Sequence, residues 1–312
     1  MKRIAVTIGD PAGIGPELIV RVLPDCVDKD IRFTVFGRRD IFESCSGFIP
    51  RETERFFEFA ESGELSLVDV AKTVSPPPFG APSRGGGAIS FDAVRRAAAD
   101  ALSGNQDALV TAPICKESWH LAEKFYPGHT EFLAEVARVK NFAMAFVGDR
   151  IKLVLVTVHI PLKYVSNYLT KELIISKVSL ASEFFKGNKI FVSGLNPHAG
   201  EGGILGTEER NTIEPAIAEL CSRGVDVKGP FPADTLFTPP MLEPDRVFIA
   251  MYHDQGLIPV KLLSFGKAVN LTLGLPFLRT SPDHGTAFDI AGQGKADISS
   301  FRKAVEFAIK KG

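Results

Sequence analysis

The chain has 312 residues, 45% hydrophobic and 23% charged, with a formal net charge of −1. That length and composition suit one large or two medium globular domains, and the near-neutral charge gives nucleic-acid or anionic-membrane binding no electrostatic basis. No stretch approaches the ~18 uninterrupted apolar residues of a membrane span. The four cysteines, Cys26, Cys45, Cys115 and Cys221, form no CxxC pair and read as reduced thiols.

The first residues, MKRIAVTIGD, run directly into a strand without the apolar run of a signal peptide, so a cytoplasmic location is expected. In chain order, strands are expected at 3–8, 32–36, 65–68, 108–111, 143–147, 152–158, 190–193 and 247–251. Several are continuous Val/Ile/Leu/Ala runs, the pattern of strands buried on both faces. Helical periodicity is clearest at 88–102, 131–139, 171–185, 209–222 and 299–310, and a further helix starts at Pro16. Thr170 is placed to cap the 171–185 helix and Gly187 to end it. The Pro/Gly-rich stretch 75–87 reads as a surface loop, and a second break falls at 138–142. The amphipathic last helix, with its terminal lysines, is expected to dock back onto the first domain. Strands and helices alternating at this spacing argue an α/β protein with a mainly parallel or mixed sheet.

Four segments carry chemistry. TIGDPAGIGPE, residues 7–17, is a strand, a Gly/Pro turn and a helix start; it could hold an anion at the helix N-terminus or be a tight turn with no ligand. PGHTEFLAEVA opens a helix with His129 at its mouth and Thr130 as expected N-cap, again with an anion site or a plain cap as alternatives. GLNPHAGEGGILGTEE lets backbone approach a ligand closely, but it is not GxGxxG: the third glycine would fall on Leu205. In the segment 251–289, Arg279 follows GLPFL, an unusual neighbour for a solvated charge, and a guanidinium there suits phosphate recognition.

Three of the six histidines, His159, His198 and His253, each close or follow an apolar run. Singly, each reads as an ordinary turn or packing residue. Jointly, their matched placement points to a metal site assembled by folding, because ligands in open α/β sheets gather beyond the carboxyl ends of strands.

TIGDPAGIGPE, LVTAPICK, GHTEFLA, GLNPHAGEGG, GPFPADTLF, MYHDQGLIPVK and VNLTLGLPFLRTSPDHGTAFDIAGQGKAD together resemble the 4-hydroxythreonine-4-phosphate dehydrogenase family of vitamin B6 synthesis, from Arg3 to the last helix. The resemblance implies an isocitrate/isopropylmalate dehydrogenase-like fold: two α/β/α domains with a cleft between them and no GxGxxG fingerprint. Residues 1–138 and 280–312 would form the first domain, and 139–279 the second, carrying metal ligands and dimer contacts. It implies His159, His198 and His253 as metal ligands, and a homodimer whose active sites are shared across the interface. His129, Thr130, Lys261, Asn270 and Arg279 match substrate-binding positions, and Asp234 and Asp254 match acidic positions near the site.

The implied reaction is NAD- or NADP-linked oxidation of a small phosphorylated substrate, 4-phosphooxy-L-threonine, at C3. A zinc, cobalt or magnesium ion would assist it. The β-keto acid formed would decarboxylate to 3-amino-2-oxopropyl phosphate. The sequence departs from the family pattern at Cys115, where asparagine is expected, and in the unusual WHLAEKFYP stretch, whose Trp119 and His120 read as packing or loop residues. His284 is left as a cofactor-side or structural residue. Three other readings stay open: a dehydrogenase of 4-phospho-D-threonate or 4-phospho-D-erythronate, a metal-dependent sugar-phosphate lyase or hydrolase without NAD, and a non-catalytic phosphate-binding module.

Overall fold

In the computed structural model of the chain, which describes residues 1–312, apolar runs form strands and the periodic segments between them form helices. The elements follow as β1 (Lys2–Thr7), α1 (Gly15–Cys26), β2 (Ile31–Gly37), α2 (Arg39–Ser44), α3 (Pro50–Ser62), β3 (Leu65–Asp69), α4 (Arg84–Leu102), β4 (Ala108–Thr111), α5 (Lys116–Leu121) and α6 (His129–Val136). Next come β5 (Ala143–Val147), β6 (Lys152–Leu155), α7 (Val165–Tyr168), α8 (Lys171–Phe184), β7 (Lys189–Ser193), α9 (Glu214–Ser222), β8 (Val227–Phe231), α10 (Ala233–Leu236), β9 (Arg246–Ala250), α11 (His253–Ser264) and β10 (Val269–Leu273). β11 (Leu278–Pro282) and α12 (Ser299–Lys311) close the chain. The fold class is α/β. No helix is long and apolar enough to cross a membrane.

The chain divides into two units, Met1–Lys140 with Leu275–Gly312, and Asn141–Gly274. In the first, strands run in the order β3-β2-β1-β4-β11, every neighbour parallel. Ile4, Val6, Phe33, Val35 and Val110 are sealed in its core, as expected for a sheet covered on both faces. The last helix returns to this unit: α12 packs over β11 and β4 with Phe301, Ala304, Val305 and Ala308 buried. In the second unit the order is β10-β5-β6-β9-β7-β8, with β5 antiparallel to both its neighbours and the other pairs parallel. Its core gathers Phe146, Leu153, Phe191, Phe248 and Val260.

Several boundaries differ from those read off the sequence. α4 begins at Arg84, so Gly85–Gly87 are helical rather than loop: the Ser83 hydroxyl accepts from Gly86 N at 2.9 Å and caps the helix. Glycine is required at 87, where a Cβ would lie 1.8 Å from the Ser118 carbonyl oxygen of α5. Thr130 is not an N-cap; the cap position is Gly128, and Thr130 lies inside the first turn of α6. β8 escaped notice because Gly229 and Pro230 argue against a strand. It sits at the edge of the sheet, where proline is tolerated.

Candidate active site

In the first unit the polar groups converge around one buried cation. Arg279, near the start of β11, is 2% exposed, and its Nε and Nη2 both donate to the Thr111 hydroxyl at the end of β4, at 3.1 and 2.7 Å. Burial lowers the guanidinium's pKa to about 10, and the Glu131 carboxylate opposes that shift, so the group stays charged at neutral pH. A cation held in such surroundings favours an anionic ligand, and the planar fork suits a phosphate.

His129 opens α6 beside this group. The residue is half-buried, but its Nε2 is sealed from solvent and has no hydrogen-bond partner in the chain. Burial holds its pKa well below the usual histidine value, and the Arg279 charge adds to the effect. The imidazole is therefore neutral at pH 7, packed edge-on against Trp119 at 5.9 Å. Trp119 itself is fully buried and donates to Ser90 Oγ, so it is a packing residue, while His120 is exposed and pairs with Phe125. Thr130 is buried. Cys115 sits at the N-cap of α5 and makes no side-chain cap bond there.

In the second unit the three histidines follow three neighbouring parallel strands, β6, β9 and β7. His159 lies just beyond the end of β6, His253 opens α11 after β9, and His198 lies in the loop after β7. The rings of His159 and His253 have centroids 5.6 Å apart and border a cavity of about 250 Å³ with Leu162, Val165, Tyr252 and Asp254. Asp254 Oδ1 lies 2.7 Å from His253 Nδ1. A carboxylate there keeps the neutral ring's proton on Nδ1 and turns the Nε2 lone pair outward, the arrangement that supports metal-ligating imidazoles.

His198 does not join this pair within the chain. No group of three His, Cys, Asp or Glu side chains is arranged there to hold a metal ion. His198 is exposed on a strained loop in which residues 198–202 all have left-handed backbone, φ 51°, 51°, 83°, 44° and 65°. Glu209, buried, shapes that loop: Oε1 accepts from Leu195 N at 2.7 Å and Asn196 N at 2.8 Å, and Oε2 from Asn196 Nδ2 at 3.0 Å. A Cβ at Gly200 would lie 2.6 Å from the same carboxylate, which explains one of the loop's glycines.

Asp234 is exposed at the start of the short α10, which packs against the His198 loop, and its Oδ1 accepts from Thr235 N. Asp254 and Lys261 are exposed on α11. Asn270, on β10, is half-buried, with its Oδ1 sealed and without a hydrogen-bond partner.

The sequence profile of the family described as pyridoxal phosphate biosynthetic protein PdxA matches residues 29–308. The chain belongs to that family. A PdxA relative from Sulfurihydrogenibium sp., named 4-hydroxythreonine-4-phosphate dehydrogenase, is 41% identical over 99% of this chain and 98% of its own. A crystal structure of 4-hydroxythreonine-4-phosphate dehydrogenase from Klebsiella pneumoniae superposes with a TM-score of 0.83 at 37% identity, covering 99% of each chain. An isocitrate dehydrogenase from Methylococcus capsulatus, 12% identical, shares the fold with a TM-score of 0.51 over 99% of this chain and 85% of that one. The chain is thus a PdxA-family oxidoreductase with an isocitrate dehydrogenase-like fold.

Three polar residues of consequence were given no role from sequence. Thr111 and Glu209 bond groups far along the chain or across a loop, and Asp10 is fully buried, its carboxyl pKa raised by burial against bonds from Ser118 and Ala12 N. The only signal for Asp10 and Glu209 was their place inside glycine-rich motifs, and for Thr111 its place inside LVTAPICK.

Proposed function

We propose that this chain oxidises 4-phosphooxy-L-threonine at C3 with NAD or NADP and a divalent cation. The β-keto acid produced loses CO2 to give 3-amino-2-oxopropyl phosphate, in pyridoxal 5'-phosphate synthesis. The observation that carries the reading is the His159–His253 pair bordering its own cavity at the strand ends, with His253 braced by Asp254.

His159, His198 and His253 would hold the cation, and an all-imidazole donor set suits zinc or cobalt better than magnesium. The bound cation would polarise the substrate hydroxyl and the nicotinamide would accept hydride. The chain's own residues do the rest. Arg279, His129 and Thr130, with Lys261 and Asn270, bind and orient the phosphorylated substrate, and neutral His129 can donate or accept one hydrogen bond without adding charge. Asp254 keeps His253 in its ligating tautomer. Asp234, with one carboxylate oxygen committed to Thr235 N, has the other to accept the alcohol proton. For the nicotinamide cofactor, His284 offers a sealed Nε2 that has no partner in the chain.

A homodimer is part of the reading. α11 carries Ile258 and Leu262 one turn apart, and Phe265 caps its C-terminal end, with 60%, 81% and 80% exposure, an apolar patch that a second copy would cover. Sharing sites across that contact would complete the ligand set that one chain leaves at two histidines.

The test is NADH formation by chelator-stripped protein, with each cation restored in turn, on 4-phosphooxy-L-threonine and 4-phospho-D-erythronate in parallel. The reading expects cation-dependent turnover that favours the amino substrate. Turnover of the erythronate alone moves the substrate assignment, and turnover of neither substrate removes the dehydrogenase reading.

A further inference from the structure

Arg279 and Thr111 stand on neighbouring parallel strands whose register places Arg279 opposite Leu109 and Thr280 opposite Val110. The arginine side chain therefore runs forward along β4 to reach its last residue. There one oxygen, Thr111 Oγ1, takes both the Nε–H and an Nη2–H. Thr111 is fully buried, so the contact is dry on the threonine side.

A hydroxyl has two lone pairs and one proton. Two N–H bonds occupy both lone pairs, which leaves this hydroxyl a single remaining role, as a donor. Bonding to a cation also polarises the O–H and strengthens what it donates. The same two bonds lock one edge of the guanidinium plane, so the group is ordered before any ligand arrives, which reduces the entropy lost on binding. Resting on the reading of Arg279 as a phosphate contact, we infer that Thr111 is a further residue of that site. It is a positioning residue: by accepting from Nε and Nη2 it fixes the orientation of the Arg279 guanidinium that takes the phosphate.

This positioning role separates from a purely structural one through substitution. Thr111→Val keeps the side chain's shape, removes the acceptor for two N–H groups and removes the donor. Thr111→Ser keeps the hydroxyl and loses only a methyl group. Thr111→Ala removes the hydroxyl with less bulk and stands in if the valine variant does not fold.

The experiment is calorimetric titration of inorganic phosphate into the full chain as wild type, Thr111→Val, Thr111→Ser and Arg279→Ala, with KM and kcat for 4-phosphooxy-L-threonine beside it. Loss of a charge-assisted hydrogen-bonded partner is expected to weaken phosphate binding and raise KM about tenfold in Thr111→Val, with kcat within about twofold. Thr111→Ser should stay within about threefold of wild type. Thr111→Val binding phosphate as wild type does, while Arg279→Ala binds it less, overturns the inference and leaves the phosphate reading intact. Thr111→Ser as weak as Thr111→Val also overturns it, because the hydroxyl would not be the operative group. Wild type and Arg279→Ala binding and turning over alike removes the phosphate reading and this inference with it.

Discussion

The two polar regions of this chain are built to opposite specifications. In the first unit, Arg279, Thr111 and Thr130 are buried, His129 has a sealed nitrogen, and the orienting bonds come from neighbouring strands. In the second, His159 and His198 are exposed, His253 is half-exposed, and only two of the three rings meet. The first region is buried and held by hydrogen bonds within its own unit; the second offers donor atoms at the surface, one of them on a strained loop. A binding pocket works best when its groups are already ordered, whereas a site that must admit a metal and a reacting hydroxyl needs open coordination positions. Burial therefore predicts which substitutions cost stability as well as function.

The largest effect is expected in the exposed region. His253→Ala should lower metal-dependent turnover on the order of 10³-fold, the scale of losing Lewis-acid assistance. Its melting temperature should stay close to wild type, because the side chain is 41% exposed. A variant that melts early and turns over normally would reverse the comparison.

In the buried region, Arg279→Ala should do both kinds of damage: a KM raised roughly 10- to 100-fold for the phosphorylated substrate, and a lowered melting temperature. An unchanged KM contradicts its phosphate role. On the surface of the second unit, Leu262→Glu places a charge in the apolar patch of α11. On the proposed homodimer, sedimentation should show wild type as dimer and this variant as monomer, with turnover reduced about tenfold or more where sites are shared. A variant that remains dimeric moves the interface elsewhere.

The smallest expected effect is a pH dependence of stability. His129 in the folded chain resists protonation, whereas in the unfolded chain it takes a proton near its ordinary pKa of about 6.5. Below that pH the unfolded chain binds more protons, so stability is fully present above about 6.5 and falls as the pH drops, by at most about 1.4 kcal/mol per pH unit. Denaturant unfolding from pH 7 to 5 should show this slope in wild type and lose it in His129→Gln; an identical slope in both contradicts the buried neutral imidazole.

How much of this was legible in the sequence depends on how local each cause is. β4 and β5 were readable to the residue, because continuous apolar runs of four or five residues bounded by turns have few other solutions. The expected strand at 152–158 overran β6, yet Val156 N and Thr157 N still bond the Ala250 and Met251 carbonyls, so the apolar run does follow β9 beyond the regular ladder. Thr170 caps α8 as its position suggested, its hydroxyl accepting from Leu173 N at 3.1 Å. β10 and β11 were absorbed into a motif whose Gly, Pro and charged residues hid the alternation.

The buried Arg279 announced itself through its apolar neighbours. Thr111 could not, because a threonine ending a strand is ordinary and its partner lies 168 residues away. The meeting of His159 and His253 likewise depends on β6 and β9 being neighbours, which spacing alone does not dictate.

The claim on which the account rests is that His159, His198 and His253 hold one divalent cation together. Calorimetric titration of zinc or cobalt into chelator-stripped wild type and the three single alanine variants measures it directly. The account predicts one cation bound per chain in wild type, with affinity reduced on the order of 100-fold or more in each variant. His198→Ala binding the cation as tightly as wild type would contradict it.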